Sequence, residues 1–398
     1  MILPLNLHHY FGYFLRRDVT KFYIAISIRN LALGMVVLFE PIYLYLYFDK
    51  SLPLTLVFFA LMYGIYGLLA PFGGRIMAKI GTTKSIIVSL LFYFGYFLCL
   101  FLFPVSFLFV PLSIVMIVLG MLLFWPAFHI DFARFSSKIT RGRDVGKLNV
   151  VRLLPMIVSP IFGGWILVLF GYPVLFAMVL VVLMTSIIPL LYAKETHEVY
   201  IDSYKGAWKR AWKKENIQTS IAFISDGLEI IIAAVLWPLF LFSLAITFES
   251  MGAIASFALV ISSLFMLYIG KVSDTTERPW LLNIGALWTG ISWVIKYFIV
   301  TTFDAFLAHT LYRLSRSAAA VPFQTFFYEK ASGKGAEADE FIISREIIVN
   351  VSRFVFLGLA ALMFWIFPFM PINGIFFGAA VLSLGFMFAG KIPKFSLR

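Results

Sequence analysis

The sequence predicts an all-α, polytopic membrane protein with twelve transmembrane helices in two pseudo-symmetric six-helix bundles. Three observations carry that prediction. First, 62% of the 398 residues are hydrophobic and 13% are charged, with 45 Phe, 18 Tyr and 9 Trp. Mean hydropathy is +0.95, and a soluble domain carries about 25% charged residues. Second, about twelve apolar runs reach the roughly 20 residues that a spanning helix needs. Third, two glycine and basic stretches lie about half the chain apart. They are Gly74-Arg75-Ile76-Met77-Ala78-Lys79-Ile80-Gly81-Thr82-Thr83-Lys84 and Gly270-Lys271-Val272-Ser273-Asp274-Thr275-Thr276-Glu277-Arg278. Each is expected to be a loop after the second run of its half, which marks an internal duplication.

The runs follow in order. The first half places them at 23–48, 53–71, 85–103, 107–129, 148–170 and 172–193. The second half places them at 219–246, 251–270, 279–300, 303–328, 341–366 and 372–389. Ten or eleven spans would result if a short run were re-entrant. The first run holds Glu40-Pro41, where the helix is expected to kink near mid-membrane, because proline lacks a donor and clashes with the preceding turn.

Charge alternates between the two ends of the runs. One end carries Arg16, Arg17 and Lys21; Arg75, Lys79 and Lys84; Arg134, Lys138, Arg141, Arg143 and Lys147; Lys194, Lys205, Lys209, Arg210, Lys213 and Lys214; Lys271 and Arg278; Lys330 and Lys334; and Lys391, Lys394 and Arg398. The other end carries Lys50 beside Asp49, with Glu249 and Asp304. Basic loops stay in the cytoplasm, so both termini are expected there, in a prokaryotic cytoplasmic (inner) membrane. The net charge of +12 then sets topology and does not indicate nucleic-acid binding. Expected boundaries are a cytoplasmic lead-in at 1–21, bundles at 22–193 and 219–390, a linker at 194–218 and a tail at 391–398. The linker places Lys205, Lys209, Lys213, Trp208 and Trp212 at helical spacing, as in a surface helix binding anionic headgroups. One cysteine, Cys99, excludes an internal disulfide framework and a cysteine metal site.

The halves echo each other further. Glu40-Pro41-Ile42-Tyr43-Leu44-Tyr45 matches Trp237-Pro238-Leu239-Phe240-Leu241-Phe242. Two six-helix halves, a cytoplasmic linker and a glycine-basic loop after the second helix of each resemble the major facilitator superfamily over nearly the whole chain. That family's loop reads Gly-x-Leu-Ala-Asp-Arg-x-Gly-Arg-Lys. Gly74, Ile76, Lys79, Gly81 and Lys84 fit it, but Ala78 stands at its acidic position. The second copy keeps Gly270, Val272, Ser273 and Asp274. The resemblance implies a secondary active transporter whose bundles rock about a midplane site, lined by the first, fourth, fifth, seventh, eighth, tenth and eleventh helices. It also implies an inner gate at these loops, in which Asp274 meets Lys147 or Arg152. Gly146, Ser159-Pro160 and Gly163-Gly164 partly match the glycine-rich pattern of the family's proton-linked exporters; small-residue helix packing is the other reading.

Ionisable residues inside a membrane are costly and face a cavity or a partner. The tenth run carries His309, Arg313, Arg316, Ala320 and Gln324 on one helical face. Arg353 is central in the eleventh run, with Glu346 and Asn350 on its face. Arginine binds carboxylate or phosphate with a planar fork, so His309, Arg313, Arg316, Gln324 and Arg353 are candidates for an anionic substrate, and structural ion pairs are the alternative. Glu40, Asp226 and Glu229 are candidates for proton exchange, because desolvation favours a neutral carboxyl. Arg345 and Glu346, nearer the cytoplasmic end, are assigned to gating or snorkelling. Arg29 is expected to snorkel or to pair with Asp226, and Lys296, near the outer end of its run, to snorkel.

No Walker A sequence occurs, since Gly142-Arg143-Asp144-Val145-Gly146-Lys147-Leu148 has the wrong spacing. ATP-driven pumping by this chain alone is therefore not expected. His197-Glu198 lacks a second histidine at zinc spacing. The expectation is a non-enzymatic, cofactor-free, monomeric transporter of a small solute, driven by protons and embedded in lipid. A small organic anion is one substrate reading. Export of amphipathic or hydrophobic compounds is a second, and a non-transporting sensor or scaffold is a third.

Overall fold

Proline and glycine set the joints of this helical chain. The structure, a computed structural model, describes residues 18–135, 141–197, 200–275, 278–331 and 336–391. For 18–19, 132–135, 141–153, 215, 273–275, 278, 336–338 and 390–391 only the backbone is described. Helix α1 comprises Asp18–Val36 and Glu40–Tyr47, which meet at a bend of 41°. Then come α2 (Leu52–Ile80), α3 (Thr82–Leu102) and α4 (Phe109–Phe135).

Arg141–Thr185 forms one helical stretch of 45 residues, which would run to about 67 Å if straight. That is roughly twice a bilayer's hydrocarbon core. It parts at Gly171, whose φ of 76° and ψ of −177° only glycine adopts readily. The parts are α5 (141–170) and α6 (172–185), and α6 turns back along α1. Ser159 and Gly163 of α5 lie at Gly34 and Met35, Phe176 of α6 at Tyr43, and the Tyr192 carbonyl accepts from Lys21 near the start of α1.

The second half holds α7 (Ile217–Ile231, a π-turn Ile232–Leu236, then Trp237–Ser243) and α8 (Phe248–Thr275). It continues with α9 (Arg278–Tyr297), α10 (Thr302–Ala331), α11 (Ala336–Ile366) and α12 (Ile372–Ala389). Among the described residues, eight stretches are long and apolar enough to span a membrane, or nine with bent α1. The stretch Leu154–Leu191 holds two antiparallel helices, and α9 and α10 fall short in apolarity because of the polar groups they carry inward. Pro41 and Pro238 both sit in the first turn of the second piece of their helix. The missing amide forces a break before each, met by a bend in α1 and by a π-turn in α7.

The glycine-basic stretches are not the loops expected of them. α2 runs on to Ile80 and α3 begins at Thr82, so the first narrows to Gly81 at φ 95°. The second is helical through Thr275. Nothing after the apolar run breaks the helix, so it continues into the basic stretch. The Glu195 carboxylate accepts from the amides of Thr83 and Lys84, both at 3.0 Å, satisfying free donors at the start of α3.

The halves meet where side chains are small. Gly64 and Gly67 of α2 face Phe354 and Val351 of α11. A Cβ on Gly164 would stand 2.5 Å from the Phe248 carbonyl oxygen, and one on Gly252 2.3 Å from that of Pro160. A Cβ on Gly163 would lie 2.0 Å from Met35 O. The α5 glycines therefore let backbones approach.

The linker forms a short helix, Tyr204–Ala211, capped by the Ser203 hydroxyl, which accepts from the Gly206 amide. Ala207 and Ala211 are buried, while Lys205 and Lys209 are exposed. This linker straps the two halves together. Arg75 of α2 donates to the Asp202 carbonyl at 3.2 Å. Arg210 reaches the Asp202 carboxylate at 2.9 Å and Glu340 of α11 at 2.6 Å. The hydrogen bond to Asp202 raises the Arg210 pKa above its ordinary value.

Candidate functional site

The inward faces of α7, α10 and α11 gather charge into one chain of contacts. Arg316 of α10 binds Asp226 of α7 and approaches Glu229, one turn on, with Nε 2.7 Å from Oε2. Arg345 of α11 lies 3.5 Å from the other Asp226 oxygen and 2.6 Å from Glu346 Oε1. Glu346 then crosses to the first half, where the Tyr66 hydroxyl of α2 donates to Oε2 at 2.8 Å. His129 of α4 lies 3.8 Å from Glu346 and 3.0 Å from the Tyr328 hydroxyl of α10. Each carboxylate in this layer has a cation or hydroxyl partner, as buried charge requires. Arg345 and Glu346 thus lie in the interhelical layer, and Arg345 does not reach out to headgroups.

Farther from the linker, a second group of cations has no such partners. Lys296 of α9 is fully buried. Its Nζ stands 4.1, 4.0 and 3.7 Å from the ring centres of Trp237, Trp293 and Tyr312. It has no hydrogen-bond acceptor. The snorkelling expected of Lys296 is therefore wrong: its helical face, and not its distance from the helix end, decides where it points. Thr289, Ser292, Trp293 and Lys296 are all 0% exposed, while Leu287, Trp288, Ile291 and Ile295 form the exposed face. His309 stacks on Trp237 at 5.5 Å. Arg313, one turn on, is half-buried. Among the described residues no carboxylate pairs with it, and its Nε has no acceptor.

Across the interface, Glu40 of α1 accepts from the Tyr96 hydroxyl at 2.6 Å and is half-buried. Arg353 of α11 donates to the Gly227 carbonyl at 3.0 Å, and its guanidinium lies 4.9 Å from the Tyr63 ring centre. Arg29 is 4% exposed and packs 3.7 Å from the Phe124 ring centre and 4.5 Å from that of Tyr93. It neither snorkels nor pairs with Asp226, which is held by Arg316 and Arg345.

Of the other residues singled out in sequence, Gln324 is half-buried on α10. Gly74 faces Ile343 of α11, and Gly270 is buried in α8. The side chains of Asp274, Lys147 and Arg152 lie outside the described residues. Sequence reasoning missed Tyr66, His129, Tyr328, Tyr96 and the Lys296 cage. The stripe at 289, 292, 293 and 296 was the available signal for the last. Among the described residues, no three His, Cys, Asp or Glu side chains gather as a metal site needs.

The halves touch at the charged layer and at the end away from the linker. In the layer, His129 meets Phe327 at 5.4 Å, and Phe327 lies 5.0 Å from the Arg345 guanidinium. At the other end, Phe248 packs on Phe39 at 5.7 Å and on Tyr172 at 6.2 Å, and Tyr45 meets Phe242 at 6.3 Å. A cavity of about 410 Å³ lined by Phe101, Pro173, Val174 and Val181 has a wholly apolar lining and includes none of the charged residues.

A family model described as Major Facilitator Superfamily matches residues 22–336. No curated protein matches in sequence. Among solved structures, the human organic anion transporter MFSD10 (TETRAN) superposes with a TM-score of 0.71 at 10% identity, covering 94% of this chain and 99% of that one. A variant of the E. coli fucose:proton symporter FucP gives 0.66 at 12% identity, with the same coverage. A FucP structure in the outward conformation gives 0.64 at 11% identity, again with 94% and 99% covered.

Proposed function

We propose that this chain, which belongs to the major facilitator superfamily and is a membrane-embedded secondary transporter, carries a small organic anion by alternating access with proton coupling. The observation that carries the anion reading is Arg313, a half-buried guanidinium with no carboxylate partner among the described residues, beside the unpaired Lys296. A buried cation without a counter-ion is unfavourable by several kcal/mol, and a mobile anion removes that cost. Arg316 and Arg353 are already engaged, so they serve the site as positioning groups. That a fold relative is an organic anion transporter agrees with this reading.

Glu40 is the carboxylate assigned to proton exchange. Asp226 and Glu229 are held by Arg316, whereas Glu40 has a neutral hydroxyl partner. A carboxyl held by a neutral donor takes up and releases a proton without breaking an ion pair. A fucose:proton symporter is among the fold relatives. The contacts at the far end, together with the linker strap through Arg75 and Arg210, support a closed intermediate, from which each end opens in turn.

Flux into proteoliposomes tests the proposal. Uptake of labelled organic anions is expected to accelerate under an inward proton gradient. Arg313→Gln is expected to abolish uptake. Glu40→Gln is expected to keep downhill exchange and lose gradient-driven accumulation. Absence of flux for every anionic, neutral and hydrophobic solute tried would instead support a non-transporting sensor or scaffold.

A further inference from the structure

The region around Lys296 contains several polar atoms that the protein leaves without partners. Among the described residues, Lys296 Nζ, His309 Nδ1, Thr310 Oγ1, Arg313 Nε and Arg316 Nη1 all lack a hydrogen-bond partner. They come from facing turns of α9 and α10. Buried polar groups are nearly always satisfied, so five together mark a place where a ligand supplies the acceptors.

The surrounding carboxylates are engaged elsewhere. From α7, Glu229 Oε1 accepts from Trp293 Nε1 at 3.1 Å, and Oε2, which has no hydrogen-bond donor among the described residues, is ion-paired with Arg316 at 2.7 Å. Asp226 is shared by Arg316 and Arg345, and Glu346 answers Arg345. From α12, Phe376 packs on Trp293 at 5.2 Å and brings no charge. With Lys296 protonated and Glu40 ionised, Lys296, Arg313, Arg316, Arg345 and Arg353 stand against Asp226, Glu229, Glu346 and Glu40, a surplus of one positive charge. The aromatic cage offsets part of the cost of burying Lys296 but supplies no acceptor.

We propose that Lys296 of α9, with His309 and Arg313 of α10, forms an anion subsite for one monoanionic group, such as a carboxylate. Arg313 is the accessible contact, and Lys296 is the fixed charge behind it. This rests on the anion-transport reading and adds to it a helix, α9, that the family resemblance leaves outside the cavity. The monoanion follows from the surplus of one.

A tethered carboxylate tests the subsite without knowledge of the substrate. In purified full-length protein, His309→Glu is expected to melt at higher temperature than His309→Gln, because the new carboxylate neutralises the surplus. Lys296→Met is expected to shrink that difference. A Glu variant no more stable than the Gln variant would overturn the subsite, and a difference unchanged by Lys296→Met would remove Lys296 from it. If either His309 variant does not fold, Thr310→Asp against Thr310→Asn gives the same comparison at the neighbouring orphan hydroxyl. Flux separates the two readings. Anion transport without the stability difference leaves the transporter and sinks the subsite. The stability difference without transport of any solute leaves the subsite and sinks the transporter reading.

Discussion

Arg316 holds two carboxylates at once, and its planar fork is what makes that geometry possible. Arg316→Gln would leave Asp226 and Glu229 buried with reduced compensation. The expected loss is about 3–5 kcal/mol of stability, read from unfolding in detergent. Adding Asp226→Asn is expected to restore part of it, because one orphan charge is removed. Tyr66→Phe removes a hydrogen bond to a charged group and is expected to cost about 1.5–3 kcal/mol. The α10 spacing makes it legible that His309, Arg313 and Arg316 share a face. It does not reveal which arginine is free, because the partners Asp226, Glu229 and Arg345 come from other helices. Lys296 is misread for a different reason: a position near the end of a helix suggests snorkelling, whereas the polar stripe through Thr289, Ser292 and Trp293 fixes an inward face.

Among the helices, glycine divides into contact positions and free ones. Gly252→Ala would drive a Cβ to 2.3 Å from Pro160 O and is expected to cost about 1–3 kcal/mol through overpacking. Gly358, inside α11, has nothing within 4 Å of its Cβ position, so Gly358→Ala is expected to stabilise by about 0.4–1 kcal/mol. Thermal melting of the two variants side by side checks the contrast. Apolar runs locate the helices in the sequence, since a bilayer fixes the length of a span. They misplace the ends of α2 and α8, because helix propensity continues where apolarity stops. They do part α5 from α6, since the runs at 148–170 and 172–193 end and begin on either side of Gly171.

At the scale of the whole molecule, the linker strap and the basic residues share one end of the bundle. Ser203→Cys is therefore expected to react with an impermeant thiol reagent only after cells are opened, and Ser51→Cys in intact cells. Labelling of Ser203→Cys from outside would reverse the orientation. A surplus of one positive charge beside α10 would also expose the proposed cycle to voltage. If the halves rock as proposed, the empty site moves a net charge through part of the membrane field. A full crossing is worth about 2.3 kcal/mol per 100 mV. A monoanion alone cancels that charge, whereas a monoanion together with a proton on Glu40 leaves it unchanged. A transient capacitive current is then expected from the empty protein on a supported membrane, and saturating anion is expected to silence it only at a pH where Glu40 stays ionised. Membrane potential would thus act on both strokes of the proton-coupled cycle alike, helping one and hindering the other.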